Sequence, residues 1–343
     1  MTYEEFMALE CPSGSEDELD FDDSDGDPTI NVNDLDSADS DREPEATAVN
    51  THNSNNYCLK DDENEAVSDA KRYFESLMGT LHFNDNTKRP DPETQDHDKL
   101  YKIRPIIYHV NKKCLLLPMS ERLSVDEQIC TTKARHHMKV YMKDKSHKWG
   151  YKLFVLCGDM GFAHKIEIYS GQENNPKFRL DNEPHIGASG NVVIRLIREV
   201  PRYQNYKFYF DRYYTSMDLV VYLFKFGIQS VGIIQRNRIT NCKFQSENEL
   251  KKEEYGYFGE YITSVDNVDV SSVLYEDNNI VCFLSTFVGE LPKSEVTRFD
   301  RKKREHRMVQ CPAVVSVYNS HMGNVDLLDS IIGRCHIKIR PKC

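Results

Sequence analysis

The chain has 343 residues and a formal net charge of −11, from 44 Lys plus Arg against 55 Asp plus Glu. The charge is uneven: residues 1–50 hold seventeen acids against the single base Arg42, leaving 38 acids and 43 bases in the remainder, so a basic body follows an acidic tail. No run approaches the ~18 apolar residues of a membrane span, and the ten cysteines, at 11, 58, 114, 130, 157, 242, 282, 311, 335 and 343, form no C-x2-C pair. Membrane insertion, secretion, a zinc site and a disulfide framework are therefore not expected.

Residues 1–65 are rich in Asp, Ser and Glu, lack an apolar period and are expected to form a disordered tail. From Asp69 to Asn86 the spacing of Ala70, Tyr73, Phe74 and Leu77 predicts a helix, and 100–117 repeats the pattern with Pro105 in its first turn. In LSVDEQ, 123–128, Asp126 and Glu127 are adjacent. Neighbours in a strand point to opposite faces, so the pair is not expected to share a metal. Residues 133–152 are the most basic stretch that also carries aromatics. Lys133, Arg135, Lys139, Lys143, Lys145 and Lys148 are candidate phosphate contacts, as are Arg236 and Arg238 further on. Tyr141 and Trp149 offer flat faces to a base, although Trp149 also fits in the core at a strand start.

Lys152 to Cys157 reads as a buried strand, and Ala163 to Tyr169 as its antiparallel partner across a glycine turn. Val193, Leu196, Ile197 and Val200 mark a helix face. Lys207 to Phe210 is a short aromatic strand stopped by Asp211. A capping pattern at Thr215 to Asp218 then opens an apolar helix that Gly227 closes, and Gln229 to Ile234 returns as a strand. Such a unit places Asp211 at the carboxyl end of its strand, where functional side chains collect. The strands 152–157, 207–211 and 229–234 are expected to be neighbours in one sheet. Residues 240–310 hold aromatic and β-branched runs and are expected to form a β-rich insertion. From Pro312 to Ile332 the spacing predicts one helix of about five turns, with Asp326 and Asp329 on one face. RKKREHR, 301–307, has the composition of a nuclear localisation signal and equally of a solvated basic loop.

The segment FDRYYTSMDL, 210–219, resembles a catalytic block of the piggyBac transposases. LHFNDNTKRP, DKLYKIRPII, LSVDEQ, HKWGYKLFVLC, EIYSG, GASGNVV and CPAVVSVYNSHMGNVDLLDS agree in the same order from about residue 70 to 340. The resemblance implies an α/β fold, a ribonuclease H-like mixed sheet flanked by helices, with first part 151–239, the insertion 240–310 and a closing helix 311–343. It makes 66–150 a helical and basic amino-terminal part. A nuclear, DNA-binding protein is expected, one whose homodimer is weakened by a shortened helical region.

The same resemblance implies a Mg²⁺ site of three acids, because in-line attack on a phosphodiester is helped by two metal ions clamped by separate carboxylates. Asp211 and Asp326 match two of them, with Asp329 a weaker ligand. The first acid is expected just after the strand 152–157. An ungapped match puts Gly158 there, and Asp159 serves only if the turn shifts by one residue. The resemblance assigns Asp126 and Glu127 no part in the chemistry. With Gly158 in that place, and HIKIRPKC ending where the family continues into further helices and a zinc finger, DNA binding without transposition is expected. An active Mg²⁺-dependent transposase or nuclease, and a protein-interaction module that reuses the scaffold, are the alternatives.

Overall fold

The computed structural model describes residues 82–334, together with Arg72 and Ser76, apart from 92–93, 95–96, 144, 146–147, 172, 240–242, 246, 251–252, 254–255, 277–278 and 301–302. The expected tail over 1–65, most of the 69–86 helix and the terminal 335–343 lie outside these residues.

Helix α1, Arg104–Cys114, starts with Pro105 in its first turn, as expected, because proline lacks the N–H that a first turn leaves unbonded anyway. Strand β1, Arg122–Thr131, follows, then β2, Val140–Tyr141, β3, Trp149–Gly158, and β4, Phe162–Ile168. Helix α2, Gly187–Leu196, leads to β5, Lys207–Phe210. Helix α3, Met217–Lys225, is capped by Ser216, whose hydroxyl accepts from the Leu219 N–H, and it ends before Gly227 at φ +70°. Strand β6, Gln229–Ile234, completes this half.

Strand β1 lies inside the sheet, between β3 and β5. It pairs antiparallel with β3 and parallel with β5, and β5 pairs parallel with β6. The expectation that β3 and β5 are neighbours is thus corrected: β1 lies between them, and the sheet begins near residue 122 rather than 151. Strands β7, Phe258–Val265, β8, Val268–Glu276, and β9, Ile280–Ser285, lie within 240–310 and extend the sheet beyond β6. Strands β10, Ser294–Asp300, and β11, Glu305–Cys311, form a separate hairpin that takes up the end of the basic segment 301–307.

Both faces of the sheet are covered. On one, Leu123, Val125, Phe154, Phe208 and Phe210 pack against Val192, Val193 and Leu196 of α2 and Leu219 and Leu223 of α3. On the other, Tyr209, Val231 and Phe283 meet Val314, Val315 and Tyr318 of α4, Ala313–His321. Val155 and Cys157 meet Val325 of α5, Asn324–Arg334. The single helix expected over 312–332 is therefore two, broken at Met322 and Gly323. A Cβ on Gly323 would meet nothing within 4 Å, so this glycine serves the break and not a close approach. No described helix is long and apolar enough to cross a membrane.

Candidate active site

Alternation along β1 puts Leu123, Val125 and Glu127 on the α2/α3 face and Ser124, Asp126 and Gln128 on the α4/α5 face. Glu127 accepts from the Tyr214 hydroxyl at 3.1 Å, whereas Gln128 Nε2 donates to Asp329 Oδ1 of α5 at 2.7 Å. The last parallel pair between β1 and β5 is Val125 with Phe210. One step further along each strand stand Asp126 and Asp211, on chains ~4.8 Å apart.

Asp211 sits on a fixed turn. Its carbonyl accepts from the Tyr214 and Thr215 N–H groups at 3.1 and 3.2 Å and from Thr215 Oγ1 at 2.9 Å. Arg238 Nη1 braces the same turn through the carbonyls of Arg212 and Tyr213, at 3.1 and 3.4 Å. The third acid, Asp326, lies in the first turn of α5, and its Oδ1 is 3.3 Å from Lys145 Nζ.

Electrostatics ties the three together. Burial, and after it the neighbouring Glu127, pushes the Asp126 carboxyl well above the ordinary range; Asp211 adds to the effect and Lys145 opposes it. Burial also raises Asp211, with Glu127 contributing, against a backbone bond from Arg212 and the charge of Lys145. For Lys145 burial works against the charge, but Asp126, Asp326 and Glu127 outweigh it and hold the ammonium above its ordinary value. Tyr318 of α4 is raised by burial and then by Asp211 and Asp126.

Asp159 does not join this group. Gly158 pairs with Leu123, three residues before Asp126 and so ~10 Å back along β1. Asp159 is anchored there, its N–H bonding Ser120 Oγ at 3.0 Å and its carboxylate facing His321 Nδ1 at 3.7 Å. Gly158 and Asp159, expected at the first acid position, both stand at the opposite end of β5 from Asp211. A Cβ on Gly158 would also lie 2.7 Å from His164 Nε2 and 2.9 Å from Ser120 Oγ. Gly158→Asp is therefore expected to lose about 1–3 kcal/mol through overpacking and to gain no Mg²⁺ affinity, as thermal melts with and without Mg²⁺ would measure.

Asp126, which the sequence reading sets aside together with Glu127, is the member of the adjacent pair on the α4/α5 face, and the alternation of Leu123, Val125 and Ile129 is the signal that separates the two. Of the candidate DNA contacts, Lys133, Arg135, Lys143 and Lys148 are exposed. Lys139 Nζ lies 5.5 Å from the ring centroid of Trp149, which is 44% exposed and sits 5.0 Å from Tyr141. Trp149 therefore stands on the surface and not in the core. Arg236 spends its guanidinium on the carbonyls of Phe244 and Gln245, at 3.2 and 2.6 Å, and Arg238 on the Asp211 turn, so both hold loops. Among the described residues no three His, Cys, Asp or Glu side chains are gathered closely enough to hold a metal ion as they stand.

A family model described as Transposase IS4 matches residues 54–342. PiggyBac transposable element-derived protein 3 of Homo sapiens is 30% identical over 272 residues, which is 78% of this chain and 44% of that protein. PiggyBac transposable element-derived protein 2 of Homo sapiens is 26% identical over 286 residues, 82% of this chain and 46% of that one. The fold is similar to that of the piggyBac transposase in its synaptic complex with hairpin DNA, with a TM-score of 0.56 at 20% identity over 76% of this chain and 50% of the other. The chain spans about half the length of these relatives.

Proposed function

This chain belongs to the piggyBac-type transposase family, and from that premise we propose that it is a nuclear, DNA-binding protein whose Asp126, Asp211 and Asp326 form a Mg²⁺-dependent site for phosphodiester cleavage. The observation that carries the reading is the register of β1 and β5, which sets Asp126 beside Asp211 on the face that α5 covers. A ribonuclease H-like reading of the sheet is supported by the order β4-β3-β1-β5-β6, with β3 antiparallel to β1 and β1, β5 and β6 parallel.

Carboxylate oxygens are the donors that a hard divalent cation takes. Burial raises both Asp126 and Asp211, Glu127 adds to each, and a bound cation would offset that cost of carrying charge. The residues present therefore fit Mg²⁺ in kind and number, with Asp126, Asp211 and Asp326 as its ligands. When bound, the ion supplies activation of the attacking oxygen and stabilisation of the leaving one. Arg238 and Thr215 keep Asp211 fixed on its turn, and Gln128 ties α5 to β1 through Asp329. Beyond the same end of β1, Thr131 pairs with Gly150, which also pairs with Val140 of β2. Lys133, Arg135, Lys139 and Lys148, with Tyr141 and Trp149, thus lie where a DNA backbone entering the acid site would pass.

Supercoiled plasmid incubated with the full chain should be nicked with Mg²⁺ or Mn²⁺ and not with EDTA. Binding to a short duplex should weaken steeply between about 50 and 200 mM salt. DNA binding without nicking would remove the cleavage half of the proposal and leave a DNA-binding derivative of a transposase.

A further inference from the structure

Lys145 differs from its basic neighbours in where its charge goes. Lys133, Arg135 and Lys148 are exposed, whereas the Lys145 side chain is 21% exposed and reaches Asp326 Oδ1 at 3.3 Å, with Asp126 and Glu127 also acting on its ammonium. A lysine is a compact point charge on a flexible four-carbon stem, without the planar fork that fixes an arginine in one geometry. It can sit among carboxylates as a cation does and withdraw without disturbing the backbone. Asp329, which could otherwise compensate on α5, is already bonded to Gln128.

We propose that Lys145 is a tethered cation of the acid site, which pairs with Asp326 in the metal-free protein and must be displaced before a divalent ion binds. This rests on the acid-site reading above and adds its regulation. A displaced ammonium lies beside the entering DNA, where a phosphate offers it an equivalent partner. DNA that takes up Lys145 frees the carboxylates, so metal and DNA each favour the other's binding by the same factor. Metal loading is thereby coupled to the presence of substrate.

The test is Mn²⁺ titration of the full chain at pH 7.5, followed by electron paramagnetic resonance and by the rise in Tm that ligand binding produces. Lys145→Gln is expected to bind Mn²⁺ about tenfold more tightly than the original, because no resident charge has to leave. Lys145→Arg keeps a cation in place and should bind no better than the original. A short duplex should tighten Mn²⁺ binding by the original chain, and by clearly less in Lys145→Gln. Equal or weaker Mn²⁺ affinity in a folded Lys145→Gln, checked by circular dichroism, overturns the proposal while leaving the acid site standing. Mn²⁺ binding that is insensitive to Asp126→Asn in every variant would overturn the acid site itself, and the tether with it.

Discussion

Asp126→Asn should abolish metal-dependent nicking, a loss of at least ~10³-fold, the scale at which catalytic groups that stabilise transition-state charge act, while duplex binding stays within about twofold. The substitution keeps the shape of the side chain and removes one of the two carboxylates that β1 and β5 set side by side. Asp159→Ala, ~10 Å back along the strand, should leave nicking unchanged. A reversal of these two results would restore the turn after β3 as the first acid position. The same variant has a stability signature. Because the folded Asp126 carboxyl is raised above its ordinary 3.8, the folded protein binds the extra proton, and stability falls as pH rises from that value through the raised one. Asp126→Asn lacks this loss. Its Tm should exceed that of the original at pH 7, and the gap should close toward pH 4.

Gly161→Val should cost about 3 kcal/mol, combining an unfavourable backbone with a clash, and should also remove nicking. Gly161 has φ +75°, and a Cβ on it would lie 3.0 Å from the Leu328 N–H nitrogen and 3.1 Å from Leu327 Cγ. Helix α5 rests on this turn, so a larger residue displaces the helix and Asp326 with it. Gly323→Ala is the control, since added bulk there meets nothing. It should be neutral or stabilising by about 0.5 kcal/mol, with nicking intact. Melting curves and the plasmid assay on both variants would decide whether the position of α5 or glycine loss in general matters.

The parts of the fold legible in the sequence are those where one force dominates. Strands β3, β4, β5 and β6 are apolar or aromatic runs between breakers, and α3 announces itself through its cap and Gly227. Strand β1 was harder to read because its covered α4/α5 face carries Ser124, Asp126 and Gln128, residues that ordinarily mark solvent, and Ser124 is fully buried. The extension by β7, β8 and β9 was visible as strands but not as an extension, since nothing local says that Val231 pairs with Ser285. Lys145 looked like any other lysine of its segment. Its partner Asp326 is 181 residues away, and only the folded chain brings them together.

The position of β1 also bears on how the chain reaches its folded state. Its partner β3 comes from the next stretch of sequence and can pair early, but β5 arrives only after β4 and α2 have been laid down, and closing that longer loop carries a greater entropic cost. Non-local pairing of this kind is slow. During the delay β1 is an edge, with unpaired N–H and C=O groups open to any passing strand. Ser124, Asp126 and Gln128, on the face that awaits α4 and α5, make that temporary edge a poor surface for aggregation. The polar residues that hide the strand from a reading of the sequence are of the kind that discourages edge-to-edge pairing.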